Sequence, residues 1–332
     1  MSVRVLRWAD RAGLDVSPDV APEAGTLALT RPDDVLALVR DDTIVATAGL
    51  WWREPVVLME SDGPAGRIGL VNWSDARDGA ALLTACLERL RGEGCALALG
   101  PLDGSTWFGY RVVTDPNPSG ADAEPAFALE PWPPPIMAQA FGEAGFTPVA
   151  HYLSSRVDAL PDESARLDAD LGLLDAAGVT LRSIDTAAPD DLRALHPLLL
   201  RAFADNPYYA PLDLARFEAL YVPLLARIDP DLVLIAERAR RPVGVVLAFS
   251  DAAQAARGVA VDTVIVKTLA VDPEVRGEGL GGTLVRAVQE AARAKGYRRA
   301  IHALMHADNA STRISAHLGR PIRRYALLGR TL

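Results

Sequence analysis

Apolar residues in this chain change their period at regular places, and those changes predict its elements. Residues 35–52 (VLALVR, DDT, IVATAGLWW) hold two β-rich runs around a short polar turn, the pattern of a hairpin. Residues 232–249 repeat it, with LVLIAE and VGVVLAF on either side of the basic turn RARRP. Helical spacing governs 80–91, where Leu83, Cys86, Leu87 and Leu90 share one face ahead of Gly94 and the strand-like run CALALG. Its counterpart is 280–295, followed by Gly296 and RRAIHALM. A third match closes each half: FGEAGFTPVAHYLSSR (141–156) is similar to ISAHLGRPIRRYALLGR (314–330), each predicting a helix ended by Gly and then a strand. The chain thus reads as two copies of one plan, with a period too long for a solenoid.

A length of 332 residues fits two compact domains. The boundaries fall at 1–160 and 179–332, joined by 161–178, which is acidic and includes LDADLGLLDAAG, a short connecting helix. The first copy carries a Pro-rich excursion at 114–135, where EPWPPP cannot supply ladder donors; it predicts a surface loop or a lid over a cleft. Hydrophobic residues make up 50% of the chain and charges are dispersed, as in a folded soluble protein. The formal charge of −9 argues against nucleic acid as a partner. No segment approaches the roughly 18 apolar residues that span a bilayer, and the N-terminus has no apolar core of a signal peptide, so the reading is cytoplasmic with no membrane partner. Cys86 and Cys95 are the only cysteines, without CxxC spacing or a His pair, and read as buried thiols with no metal.

The most informative stretch is 261–296. Residues 263–271 are rich in β-branched side chains and are stopped by Asp272-Pro273. Then Arg276-Gly277-Glu278-Gly279-Leu280-Gly281 sets three glycines at alternate positions before a helix with Leu280, Leu284, Val288 and Ala291 on its apolar face. Such glycines let successive N–H groups converge on an anion at the positive end of the helix dipole, and a pyrophosphate is the natural guest. Rossmann proteins and P-loop NTPases use related turns, and some such turns bind nothing. Here no Gly-Lys-Ser/Thr follows, and the turn lies late in the chain rather than after a first strand.

The run L-A-V-D-P-x-x-R-G-x-G-x-G resembles the acyl-CoA signature of the GNAT superfamily of N-acyltransferases, with Arg276, Gly279 and Gly281 at its core. Downstream, HALMHADNASTRISAHLG extends the resemblance, with Asn309 and Gly319 in the expected places; it covers about 180–332. The resemblance implies an α/β fold of two tandem GNAT-like domains, each with a splayed mixed sheet flanked by helices. It implies acetyl-CoA or another acyl-CoA as co-substrate and a small-molecule or protein amine as acceptor. It assigns Leu269, Ala270, Val271, Arg276, Gly277, Glu278, Gly279, Leu280, Gly281 and Asn309 to the cofactor. The first copy has lost the signature: its helix opens with SDARDG, where Asp75 and Asp78 would repel a pyrophosphate.

The resemblance also implies that the thioester lies between 263–271 and 299–305, where those strands splay, with backbone near Leu269 and Val271 holding the pantetheine arm and the oxyanion. An acceptor ammonium needs a base. The strand 263–271 offers no carboxylate, only Lys267; Asp262 precedes it and Glu237 ends a neighbouring strand. The tyrosine that serves such proteins as general acid is replaced by Ala316, flanked by Ser315 and His317, with Tyr325 further on, so no catalytic residue is assigned. Segment 202–225, with Asp205, Asn206, Tyr208 and Tyr209, would lie over the acceptor groove. In the first copy, 100–111, with Trp107, Tyr110 and Arg111, either lines a pocket or packs the copies together. The alternatives are an acyl-CoA-binding protein without turnover and, less in keeping with the position of the turn, an NAD-binding oxidoreductase.

Overall fold

The repeated hydrophobic pattern becomes a repeated set of elements in a computed structural model. It describes residues 3–332 apart from 55, 57, 59–62, 119, 121–123, 187, 188, 310, 311, 313, 314 and 316. The first half contains β1 (Val3–Arg7), β2 (Asp15–Val16), α1 (Ala24–Thr30), β3 (Asp34–Arg40), β4 (Thr43–Trp51), β5 (Ala65–Trp73), α2 (Ala76–Gly92), β6 (Leu97–Gly100), β7 (Val112–Asp115), α3 (Pro135–Glu143) and β8 (Thr147–Val157). The second contains α4 (Ser164–Ala176), β9 (Val179–Ser183), α5 (Pro189–Phe203), α6 (Leu214–Leu225), β10 (Val233–Arg238), β11 (Arg241–Ser250), α7 (Ala252–Ala256), β12 (Thr263–Val271), α8 (Leu280–Ala294), β13 (Arg299–His306) and β14 (Arg320–Thr331).

The predicted hairpins are β3–β4 and β10–β11. Each turns through two residues with left-handed φ, Asp41 and Asp42 at 47° and 63°, Ala239 and Arg240 at 52° and 63°. That geometry matches the twist of the strands it joins. On the first half of the sheet α2 buries Leu82, Leu83, Cys86, Leu87 and Leu90. On the second, α8 buries Leu280, Leu284, Val288 and Ala292, so the apolar face ends on Ala292 rather than Ala291. Gly244 in β11 makes room for α8, because a Cβ there would sit 3.0 Å from Leu284 and 3.1 Å from Leu280. The acidic stretch between the copies is helical as α4, clamped to α8 by Arg286, which reaches Glu163 at 2.8 Å and Asp170 at 3.0 Å. Both cysteines are buried, and burial pushes the Cys86 thiol up.

One 14-stranded sheet runs through the molecule in the order β1-β3-β4-β5-β6-β14-β8-β13-β12-β11-β10-β9, with β2 on β4 and β7 on β14. The closing strands are exchanged: β14 of the second half pairs with β6, and β8 of the first half pairs with β13. They also pair antiparallel with each other, so the sheet crosses the boundaries drawn along the chain. Gly145 ends α3 with φ of 78°, as expected of a C-terminal glycine. Gly319 serves a different need: the backbone of Arg156 passes so close that a Cβ would lie 2.6 Å from its carbonyl oxygen.

Candidate functional site

β12 and β13 run parallel and pair from Thr263 with Arg299 to Val266 with His302, and there the pairing stops. Beyond that point β12 stays bound to β11 through Leu269, Ala270 and Val271. Its other edge has no strand beside it among the described residues. β13 bends away at a bulge between His302 and Met305, where Leu304 takes a left-handed φ of 61°. Two side chains from the first half hold the bulge: Ser154 Oγ accepts from the Leu304 N–H at 3.0 Å, and Arg111 Nη1 donates to the Leu304 carbonyl at 3.0 Å. The splay predicted from sequence is therefore propped open by the first copy.

The crevice opens toward the glycine turn at the end of β12. Gly277 and Gly279 have φ of 93° and 81°, a region that suits glycine and strains other residues. Gly279 is the N-cap of α8 and supplies no side-chain cap, so the first N–H groups of that helix face outward unpaired by any cap. Arg276, Gly277, Glu278 and Gly279 are exposed, whereas Leu280, the first residue of α8, is buried and Gly281 follows it in the first turn. Arg276 anchors the turn by donating to the Ala202 carbonyl at 2.7 Å, and Glu278 pairs with Arg238 of the basic hairpin turn at 2.6 Å. The neighbouring Asp272 carboxylate is buried between Arg201 at 2.7 Å and Arg241 at 3.1 Å. Burial alone would raise its pKa, and these cations together with the Glu274 N–H outweigh burial and lower it.

Behind the crevice lies a cavity of about 830 Å³, built from both halves. Leu269 and Asn309, both expected beside the cofactor, line it, and so do Lys267, His302, His306 and Ser315 of the second half. The first half contributes Asp103, Trp107, Tyr110, Arg111, Glu130 and Tyr152. Segment 100–111 does both things its composition allowed: Trp107 lines the cavity and also donates from Nε1 to the Ala210 carbonyl at 3.1 Å across the junction. The Pro-rich excursion supplies a wall through Leu129, Glu130 and Pro131. Of the residues expected on the acceptor side, Asn206 and Tyr209 line the cavity. Asp205 points to solvent, and Tyr208 is turned away, its hydroxyl donating to the Val149 carbonyl at 3.3 Å.

The candidate acids and bases are sorted by the same geometry. Asp262 is held by Gln254, Thr263 and Arg299 at the closed end of β12, and Glu237 pairs with Arg182 at 2.7 Å; neither lines the cavity. His317 is exposed, and Ala316 and Ile314 lie outside the described residues. Tyr325 is buried in β14, where it hydrogen-bonds to Glu130 and, at 3.1 Å, to Ser154. Ser315 does reach the cavity, 2.5 Å from His302 Nδ1; Gln289 Nε2 lies 2.8 Å from the other ring nitrogen. Burial lowers His302 to about 4, so it is neutral.

Lys267 is the charged group that sequence reasoning named without giving it a role. It is the first residue of β12 past the last β13 pair, and its side chain ends in the cavity. Desolvation lowers its pKa to about 7; Arg111 pushes the same way and Glu130 opposes. Glu130 is itself fully buried and paired with Arg323 at 2.9 Å, which spends much of its charge. A lone lysine in an otherwise apolar strand was the available signal. Arg111 lines the same cavity, 3% exposed, with its guanidinium carbon 3.7 Å from the ring centre of Tyr110 and 4.0 Å from that of Tyr152. Its backbone has φ of 76°, strain that costs on the order of 1–3 kcal/mol in a non-glycine residue.

Comparison with known proteins agrees with this geometry. Residues 193–319 match the model of the acetyltransferase (GNAT) family. The second half is therefore similar to that acetyltransferase family over most of its length. The whole chain has the tandem GNAT architecture: a tandem GNAT protein from the clavulanic acid biosynthesis pathway superposes with a TM-score of 0.50 at 16% identity, covering 99% of this chain and 98% of that one. A probable N-acyltransferase from Enterococcus faecalis V583 superposes with a TM-score of 0.56 at 8% identity, over 100% of this chain and 73% of its own. At these identities the likeness is one of fold. No curated protein matches the sequence.

Proposed function

We propose that this chain transfers a short acyl group, acetyl in the first instance, from acyl-CoA to a primary amine by direct attack in a ternary complex. The observation that carries the reading is the open edge of β12, running from the splay at Lys267 to an uncapped helix start at Gly279. The N–H groups of the glycine turn and of the first turn of α8 would take the diphosphate. The pantetheine arm would lie along Leu269, Ala270 and Val271 as a missing strand does, and a backbone N–H on that edge would hold the oxyanion. One such donor contributes about 3 kcal/mol to the transition state.

The acceptor amine would enter from the cavity between the halves, whose size suits a small molecule. Lys267, neutral for part of its time near pH 7, is positioned to take the proton that the attacking nitrogen sheds. Calorimetric titration with acetyl-CoA and CoA, followed by incubation with a mixed amine panel and mass detection of products, tests the reading. Binding with acylated products supports it; binding without any product reduces the protein to an acyl-CoA-binding module, and no binding sinks the reading.

A further inference from the structure

The cavity buries a cation that the transfer chemistry leaves unused. Among the described residues the Arg111 side chain makes one hydrogen bond, from Nη1 to the Leu304 carbonyl. Its Nε is buried with no hydrogen-bond partner, and Nη2 has none among the described residues. No carboxylate among the described residues lies within ion-pairing distance of it, although Glu130 lines the same cavity, because Glu130 is engaged by Arg323 and Tyr325. Tyr110 and Tyr152 pack against the guanidinium with ring centres 5.5 Å apart and ring planes nearly perpendicular, and no hydrogen bond joins either ring's hydroxyl to its Nε–Nη2 edge. The Nε and Nη2 hydrogens lie on one side of that edge and form the fork that fits the two oxygens of a carboxylate.

A buried guanidinium without a counter-ion is costly, and costlier still on a strained backbone in a cavity that also holds Lys267. Capping the Leu304 carbonyl is a job that a neutral donor could do. We infer that Arg111 is the binding group for a carboxylate on the acceptor, so that the substrate class is amines bearing a carboxylate, such as free amino acids. This rests on the acyl-transfer reading for the amine end of the same molecule. The carboxylate would dock on the first half while the amine reaches toward Lys267 and the splay, so that each half of the chain holds one end of the acceptor.

The test compares matched acceptors: α-, β-, γ- and longer ω-amino acids, each beside its carboxamide, and aminoalkyl phosphates, assayed with acetyl-CoA on the full chain. The expected result is a kcat/KM for the best acid about 10- to 100-fold above its amide, carried mainly by KM, with the chain-length optimum reporting the distance from Arg111 to the thioester. Arg111→Gln should close that ratio while acetyl-CoA affinity, measured alongside, reports that the variant is folded. Should Arg111→Gln not fold, Arg111→Lys carries the same comparison, since it keeps a cation and loses the fork. Equal use of acid and amide by the wild type, a ratio unchanged in the variant, or a preference for the phosphates would overturn the assignment. If acetyl-CoA binds and no amine is acylated, the transferase reading fails by itself. Titration of the amino acids onto CoA-saturated protein then decides the carboxylate site: binding lost in Arg111→Gln upholds it, and no binding to the wild type removes it.

Discussion

The two halves share a plan and differ at the one place where the plan makes a site. In the first half β5 and β6 pair in parallel only from Ala65 to Arg67 and then part, as β12 and β13 do. That splay is filled by the chain itself: Leu102 N–H donates to the Ile68 carbonyl at 2.8 Å, and the Asp103 carboxylate takes the Leu70 N–H at 2.6 Å. Gly69 permits the close approach, since a Cβ there would lie 2.4 Å from the Leu102 oxygen. The helix that follows is also closed, because Asp75 caps α2 by accepting from Arg77 and Asp78 N–H groups. In the second half both places are open. One fold can thus be a site or a prop for a site, depending on whether its backbone donors are already taken.

The sharpest way to break this comparison is at Lys267, whose counterpart by register is the buried Ile68. Lys267→Met is expected to lower the acylation rate by roughly 100- to 10,000-fold, the usual worth of a positioned base. In the wild type kcat/KM should rise with pH through about 7 and level off above it, since the neutral amine is the active form. A profile without that limb, or a variant of normal rate, would remove Lys267 from the chemistry. The sign for stability is opposite. A folded pKa of about 7 against 10.5 in the unfolded chain means the native state binds fewer protons between these values, so the lysine's penalty is full below about pH 7 and fades as pH rises. Lys267→Met should therefore raise the melting temperature at pH 6 more than at pH 10.

Next in size is Gly279→Asp, which gives the open helix the chemistry of the closed one. A carboxylate in the cradle and a side chain at φ of 81° should weaken CoA binding by roughly 100-fold by calorimetry. Unchanged affinity in a folded variant would count against the diphosphate site. Gly69→Ala attacks the filled splay and should destabilise by about 1–3 kcal/mol, read as a lower midpoint in urea. The smallest effect is expected from Asp75→Ala, about 1 kcal/mol of stability for a lost cap, with CoA affinity unaltered. If that change instead created a second CoA site, the contrast between the halves would rest on the cap alone and not on the filled splay.

Local chemistry was legible from residue order. The two hairpins, the amphipathic faces of α2 and α8, the stop at Asp272-Pro273 and the glycine turn at 276–281 depend on contacts a few residues apart, so periodicity and turn preference determine them. The loss of that turn at Asp75 and Asp78 was equally plain. Three things were not readable, because each joins residues far apart in the chain. β8 and β14 trade places, since the free edges of β6 and β13 accept whichever closing strand the fold delivers. Leu102 and Asp103 occupy the first splay through backbone contacts that any side chain could have made, apart from the glycine opposite them. Arg111 and Lys267, ordinary surface residues by composition, acquire their character only when packing excludes water from them and sets them in one cavity. Burial and proximity across the sheet are properties of the folded chain, and the chemistry of this site is built from them.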